Sequence, residues 1–570
     1  MSSNLCRKLG LRAQLLRKIT TQLQGQCKRH ISFAPKPLES KGWRSHPNQK
    51  LWLTVAGTAA VIGSGFVYAN ATSPLHLDAH PKFPQQPILD KHQLPEIKYA
   101  TLNEMEMALD EIRQELNDTE GIISTDPADL KAHGYSEWSS VNVDVLPVAV
   151  AYPRSTEQVQ TIARVCHKHK VPIIPFSGGS SVEGHTGAPF GGVSIDFTYM
   201  DKCLRLSPED MDATVQPGLC WTDFNEDLAG QGTGLFFPID PAPSAKFGGM
   251  VGTNCSGTNA VRYGTMRDWV LNVTMVLADG SVVRTRRRPR KCSAGYNLNG
   301  IIVGSEGTLG IVTEVTIKLA AIPQQYSVAV VPFPSLEHAV SAATAVIRQG
   351  VPVAALEMMD EIQMRVINDV GATLPRVWKE SPTLFFKFSG TPGMIRDNIT
   401  TVQSIVKEYE PQDFEWATDP EEQASLWSAR KESLYSLLSL RKGGEQLWNT
   451  DVAVPLSRLT EIVHASKKDA EEIGLKATVK GHVGDSNFHE NIYYDATKPE
   501  ERAKAEKLVK NMVRRALEMD GTCTGEHGIG YGKKDSLVQE VGEDTITAMK
   551  LIKTTLDPHW IMNPGKVFDL

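Results

Sequence analysis

Two histidines flank a tight turn in GHVGDSNFHENIYY, residues 481–494: His482 and His489 stand on either side of Gly484, Asp485, Ser486 and Asn487. If residues 478–483 and 488–494 are strands joined by that turn, His482 opposes His489 and Val483 opposes Phe488. Directly opposed side chains on one face have Cβ atoms about 4.5–5.5 Å apart. At metal–nitrogen distances of about 2 Å, two imidazoles so placed can share one ion. Asn491, two residues beyond His489, falls on the same face. A polar hairpin with solvated histidines carries the same pattern. Segment 521–534, GTCTGEHGIGYGKK, adds Glu526 and His527 between Gly525 and Gly528. Flanking glycines let backbone come close to a ligand. His482, His489 and Glu526 form a set suited to a divalent metal with an open position, and His527 is then a candidate base. Neighbouring residues point to opposite faces of a strand, so Glu526 and His527 serve one site only from a loop.

Three glycine-rich segments stand far upstream. SGGSSVEGHTG (177–187) leaves an apolar strand, and a Gly/Ser loop there presents backbone N–H groups in a concavity suited to phosphate oxygens. It is neither G-x-G-x-x-G nor a P-loop. KFGGMVGTNCSGTNAVRYG (246–264) reads as a polar run unsuited to a core. GIIVGSEGTLGIVTEVTIKL (300–319) sets Gly304, Gly307 and Gly310 between two β-branched strands. Three such segments within about 140 residues point to one extended ligand carrying phosphate and flat heterocycles.

The elements that must position these groups are legible in outline. From Val148 strand and helix alternate, with a helix over residues 156–169 capped by Ser155 or Thr156. An Asp279-Gly280 turn predicts a hairpin. After Ile322, YSVAVVPF, PVAALEMM and TLFFKFSG read as strands, with helices at 335–349, 394–408 and 500–519. The expected fold is α+β: a first domain built around the glycine segments, then a cap with an antiparallel sheet covered by helices.

The glycine segments together resemble the FAD-binding domain of the vanillyl-alcohol oxidase family, the PCMH fold, in two subdomains. H-x-G-D-x-N-x-H, G-E-H-G-I-G and the terminal LDPHWIMNPGK resemble the C-terminal domain of the FAD-linked oxidases. The resemblance covers about residues 140–570; one departure is Ser486, where many relatives have Gly. It implies that FAD is held by Ser177, Gly178, Gly179, Ser180 and Ser181, by Gly248, Gly249, Gly252, Thr253, Ser256 and Gly257, and by Gly304, Glu306, Gly307, Gly310, Ile311 and Val312. Some members attach flavin to a His in the first loop; Ser180 stands there, so the FAD is expected to be non-covalent, with His185 ordering the loop. The resemblance also implies that His482, His489 and Glu526 hold a divalent metal, zinc or manganese, that Asn491 supports the substrate site and that His527 is the base. Arg430, in LWSARKESLYSLL, would grip the substrate carboxylate as a fork. The implied reaction is FAD-dependent oxidation of D-lactate to pyruvate, with cytochrome c as electron acceptor, as in the membrane-anchored mitochondrial members. D-2-hydroxyglutarate is the rival substrate within the family. A flavin-independent metal hydrolase and a tethered flavoprotein scaffold without turnover are the rivals outside it.

Charge and the N-terminus fit that setting. Residues 1–50 carry eleven Lys/Arg and one acid, and the remaining 520 residues carry a net charge of −16. An acidic body argues against nucleic acid as a partner. Leu5, Leu9, Ala13, Leu16, Ile19 and Leu23 mark an amphipathic basic helix of transit-peptide type. The uncharged run 51–69 spans roughly 28 Å as a helix at about 1.5 Å per residue, near the thickness of a hydrocarbon core. The expected organisation is a transit peptide (1–50), a single transmembrane anchor (51–69), a linker and helical region (70–139), the FAD-binding domain (140–321), the cap (322–535) and a C-terminal segment returning to the FAD domain (536–570). The anchor would hold the catalytic domain to the mitochondrial inner membrane, facing the intermembrane space. Eight scattered cysteines without a C-x-x-C pair argue against a disulfide framework.

Overall fold

The computed structural model describes residues 97–117 and 121–569. The transit-peptide and transmembrane readings lie outside the described residues. Among the described residues, no helix is long and apolar enough to cross a membrane.

The glycine segments sit on two sheets. In the first, the strands run in the order Ile123–Ser124, Ala149–Ala151, Val193–Asp196, Ile173–Phe176, and the last three are parallel. Helix Thr156–His169 makes the crossover. Ser155 caps it by accepting from the Gln158 N–H, and Val159, Ile162, Ala163 and Cys166 supply its buried stripe. The second sheet is antiparallel, in the order Cys203–Ser207, Asp212–Val215, Ile311–Lys318, Val270–Val276, Val282–Arg284. Its last hairpin turns at Gly280, with φ +86°.

Two local expectations are corrected. The run 246–264 is not uniformly polar loop: Phe247–Thr253 is a short helix that buries Phe247, Met250 and Val251, since these three apolar residues fall on one helical face. Upstream of Gly304 there is a helix, Leu298–Ile302, not a strand, because the Asn297 side chain caps the Gly300 N–H and starts a helical turn.

The cap is an eight-stranded antiparallel sheet. Its order is Glu415–Ala417, Gln325–Pro332, Thr383–Gly390, Ala355–Met359, Lys476–Gly481, Asn487–Asp495, Glu445–Asn449, with Val452–Ala453 pairing beside Asn487–Asp495. One face packs under helices Leu336–Arg348 and Pro392–Val406, with Phe386, Phe388, Ile399 and Val402 in the core. The other face meets helix Pro420–Ser439 through Val330, Phe385, Leu426 and Ala429. Cross-strand register places Lys387, Glu357, Lys480, His489 and Asn491 on this second face. The chain end returns beside the first sheet: Ile173 exchanges backbone bonds with Ile561 and Asn563, both 2.7 Å.

Candidate active site

The histidine turn differs in register from the simple hairpin. Lys480, not His482, pairs with His489, and Thr478 pairs with Asn491. The strands close at Gly481, where an added Cβ would lie 2.7 Å from the Asn487 carbonyl oxygen. Residues 483–485 then form a 3-10 turn, with Ser486 left-handed at φ +59°. His482 therefore leaves the ladder and leans across the turn. The imidazoles still meet, with ring centroids 5.5 Å apart at 89°.

Glu526 lies between them. Its Oε1 is 3.3 Å from His482 Nε2 and 3.2 Å from His489 Nε2. All three donor atoms lie within 4.8 Å of one another. Ligands at about 2.1 Å in tetrahedral array stand roughly 3.4 Å apart, and the two distances to Glu526 match that spacing, so the set fits a divalent metal. The far nitrogens fit too. His482 Nδ1 is 2.8 Å from Glu357 Oε1, and His489 Nδ1 is 2.8 Å from the Thr450 carbonyl oxygen. A carboxylate or carbonyl on the second nitrogen fixes the tautomer that leaves Nε2 free to ligate.

Glu526 and His527 do come from a loop, and one carboxylate shapes it. Asp451 Oδ2 accepts from the Thr524 hydroxyl at 2.6 Å, the Glu526 N–H at 2.9 Å and the His527 N–H at 3.0 Å. Its Oδ1 accepts from Asn487 Nδ2 at 2.7 Å, which ties the loop to the histidine turn. Ser256 Oγ, from the second glycine segment, donates to Glu526 Oε2 at 2.7 Å. His527 stacks on His489, centroids 5.1 Å and planes 11° apart.

The charges sort by role. Burial alone would lower His482 and raise Glu526. The neighbouring carboxylates hold His482 above its usual range, and the two imidazoles hold Glu526 well below it. A cation at these donors would displace the His482 proton. Burial pushes His527 down to about 4, against the opposing pull of Asp451. At neutral pH its imidazole is unprotonated, the form that accepts a proton.

Comparison with known proteins bears on this constellation. The FAD binding domain family matches residues 147–286, and the C-terminal domain of the FAD linked oxidases matches residues 322–567. The mitochondrial D-lactate dehydrogenase [cytochrome] of Kluyveromyces lactis is 42% identical over 528 residues, 91% of this chain and 90% of the relative. The protein of that name from Arabidopsis thaliana is 46% identical over 445 residues, 78% of this chain and 77% of the relative. The chain belongs to the FAD-linked oxidases. Its fold is also that of the 4-ethylphenol oxidase from Gulosibacter chungangensis, at TM-score 0.70 and 17% identity, covering 83% of this chain and 99% of that one.

In this FAD-linked oxidase the three glycine segments converge. A Cβ on Gly178 would meet the Ser244 carbonyl oxygen at 2.9 Å, one on Gly248 would meet Pro217 Cβ at 2.7 Å, and one on Gly307 would meet Pro175 Cγ at 3.0 Å. Beside Gly249 and Gly252 the surface is open, with nothing nearer than 3.9 and 3.8 Å. Among the described residues, the N–H groups of Gly178, Gly179, Ser180, Ser181 and Val182 have no protein acceptor. Those consecutive unspent donors beside an open surface fit a pyrophosphate. Not every expected cofactor residue faces that surface. Ile311 packs its side chain in the core, and a Cβ on Gly310 would strike Met275 Cε at 2.2 Å. Ser256 reaches Glu526. Glu306 spends its carboxylate on the Ile529 and Gly530 N–H groups, both 2.7 Å, and on His185 at 2.8 Å. His185 thus pairs with the third segment.

Arg430 lies on helix Pro420–Ser439 with Nε and Nη2 both 2.9 Å from Glu357 Oε2. The same Glu357 holds His482, so Arg430 is locked one residue from the His/Glu cluster. Asn491 is buried, 3.4 Å from the Thr478 hydroxyl, with its Oδ1 unpartnered. Sequence reasoning missed Glu357, Thr450 and Asp451. Glu357 carries a usable signal: a carboxylate inside the apolar strand ALEMM demands a buried partner.

Proposed function

We propose that this FAD-linked oxidase oxidises D-lactate to pyruvate and passes the electrons to cytochrome c. The observation that carries the reading is the Ser256–Glu526 hydrogen bond, 2.7 Å, which joins a glycine segment of the flavin domain directly to the His/His/Glu cluster. The D-lactate dehydrogenase names of the similar proteins support the substrate and the acceptor. When bound, FAD supplies the hydride acceptor, and a divalent ion, zinc or manganese, supplies positive charge beside the substrate oxygen.

The chain's own residues do the rest. The amides of Gly178–Val182 hold the FAD pyrophosphate non-covalently. His482, His489 and Glu526 hold the metal, oriented by Glu357, Thr450 and Asp451. His527, unprotonated at neutral pH, takes the hydroxyl proton. Arg430 spends Nε and Nη2 on Glu357, which fixes its orientation, and keeps Nη1 as a single donor for the substrate carboxylate in place of the expected fork. Asn491, on the same sheet face, supports the substrate. The basic head and the apolar run 51–69 support import and anchoring at the inner membrane, with the catalytic part facing the intermembrane space. The division at residues 139/140, 321/322 and 535/536 belongs to the same proposal. A flavin-independent hydrolase leaves the unspent loop donors without a role, and the names of the similar proteins favour D-lactate over D-2-hydroxyglutarate.

Anaerobic mixing of the purified holoenzyme with D- and L-2-hydroxy acids tests the reading. Rapid bleaching of flavin absorbance by D-lactate, with L-lactate inert, is expected. No bleaching by any member of the panel would overturn it.

A further inference from the structure

A cavity of ≈310 Å³ opens between the flavin domain and the cap sheet, walled by Phe236, Asn259, Tyr263, Tyr326, Lys387 and Ser389 among others. This is room for several waters, more than a lactate methyl group needs. Lys387 is the cation on its wall. Among the described residues its ammonium has no carboxylate within ion-pair distance and no hydrogen-bond acceptor; it lies over Trp427, 4.3 Å from the ring centroid. Burial lowers its pKa, while Asp240 and Glu357 pull it back up from beyond bonding range. A half-buried ammonium resting on a π face, with no anion at bonding range among the described residues, keeps its charge available to an anion in the cavity.

Its position gives that charge a direction. Helix Pro420–Ser439 carries Gln423 on the cavity wall, Trp427 against Lys387 and Arg430 against Glu357, in successive turns. On the sheet beneath, Lys387 pairs with Ala355, two residues from Glu357, and Glu357 holds His482. Along the sheet from the cavity toward the His/Glu cluster, Lys387 therefore comes first and the Glu357–Arg430 pair next. We propose that Lys387 forms an outer carboxylate subsite, which captures small organic acid anions in this cavity before they pass inward to Arg430. The direction of traffic rests on the proposed 2-hydroxy acid oxidation; the subsite itself rests on the cavity and its unpartnered ammonium.

The test is kinetic. In the full-length holoenzyme, Lys387→Met is expected to lower kcat/KM for D-lactate by on the order of tenfold, as loss of a steering charge does, while kcat stays within about twofold. The fall of kcat/KM with ionic strength should flatten in this variant, and Lys387→Arg should restore both. An unchanged kcat/KM with the wild-type salt dependence would overturn the proposal, and so would an equal loss in kcat. Acetate, which cannot be oxidised in this way, provides a second readout. It should change tryptophan fluorescence in the wild type and fail to do so in Trp427→Phe and Lys387→Met. If D-lactate never bleaches the wild-type flavin but acetate behaves as stated, the proposed function fails and the subsite stands. If bleaching occurs and Lys387→Met alters neither readout, the subsite fails. Should Lys387→Met lose FAD, the wild type decides: a kcat/KM indifferent to ionic strength sinks the idea.

Discussion

Replacing Asp451 with Asn should disable the site without touching a ligand or a flavin contact. Asp451 is fully buried, and its Oδ2 accepts three hydrogen bonds at 2.6, 2.9 and 3.0 Å from Thr524, Glu526 and His527. An Asn can turn its carbonyl oxygen to those three donors, but its NH₂ then confronts the Asn487 NH₂, now a donor at 2.7 Å from Oδ1. Asn487 can flip, since its Oδ1 is unpartnered, only by losing its 2.9 Å bond to the Val452 carbonyl oxygen. Bonds to a charged acceptor contribute roughly 1.5–3 kcal/mol each, and bonds to a neutral one about 1 kcal/mol. Weakening three of them, with one further bond lost, costs about 3–5 kcal/mol. Much of it falls on the loop that aims Glu526 and His527, where a 1 Å shift costs about 10²-fold in rate. Lys533 Nζ, 3.8 Å from Oδ2, also loses a counter-charge. The assays are metal content, FAD content and anaerobic flavin reduction. Asp451→Asn should keep FAD, bind metal more weakly and reduce its flavin about a hundredfold more slowly. Wild-type metal content and a rate within threefold would refute the argument that Asp451 shapes the loop.

Three further outcomes are expected. Acid precipitation should release FAD into the supernatant, because Ser180 cannot form a covalent flavin link; flavin that stays with the pellet contradicts this. Ser256→Ala should keep FAD but weaken metal binding by about 10–100-fold, the usual cost of losing an outer-shell partner, measured by chelator competition. Asp360 is pushed up to about 6 by burial, against the pull of Lys467. Between pH 3.8 and 6 the folded chain then holds a proton that the unfolded chain releases, so this group's stabilisation, complete below that window, is lost by about 3 kcal/mol as pH rises through it. Asp360→Asn keeps the cap on the Gln363 N–H, 2.8 Å in the native chain, and should remove that slope from denaturation midpoints; an unaltered slope contradicts the assignment.

How far the sequence alone reaches differs between the scaffold and the site. Helix Thr156–His169 and the cap strands Gln325–Pro332 and Thr383–Gly390 were readable because apolar periodicity and cap residues agree locally. The His/His/Glu set was readable because each member sits in a short glycine-marked segment. The register of the histidine turn was not. It depends on Gly481 pressing against Asn487 and Phe488, a tertiary contact that shifts the pairing by two residues. Asp451 was not readable either, since NTDVAVP has no spacing that marks a carboxylate as the acceptor for a loop 75 residues downstream. The Leu298–Ile302 helix escaped for a third reason: a single Asn cap outweighs a short β-branched run whose strand partners are absent.

On the proposed function, His482, His489 and Glu526 would hold a divalent metal while His527 works as the base. Metal analysis combined with anaerobic stopped-flow reduction by D-lactate, run on His482→Ala, His489→Ala and His527→Ala, tests it most directly. The first two variants should lose bound metal and most turnover while keeping FAD, because among the described residues no hydrogen bond, ion pair or ring contact joins their side chains to the three upstream glycine segments. His527→Ala should keep metal and FAD, with flavin reduction slowed about 10²–10⁴-fold. Metal and rate both retained in the His482 and His489 variants would contradict the account.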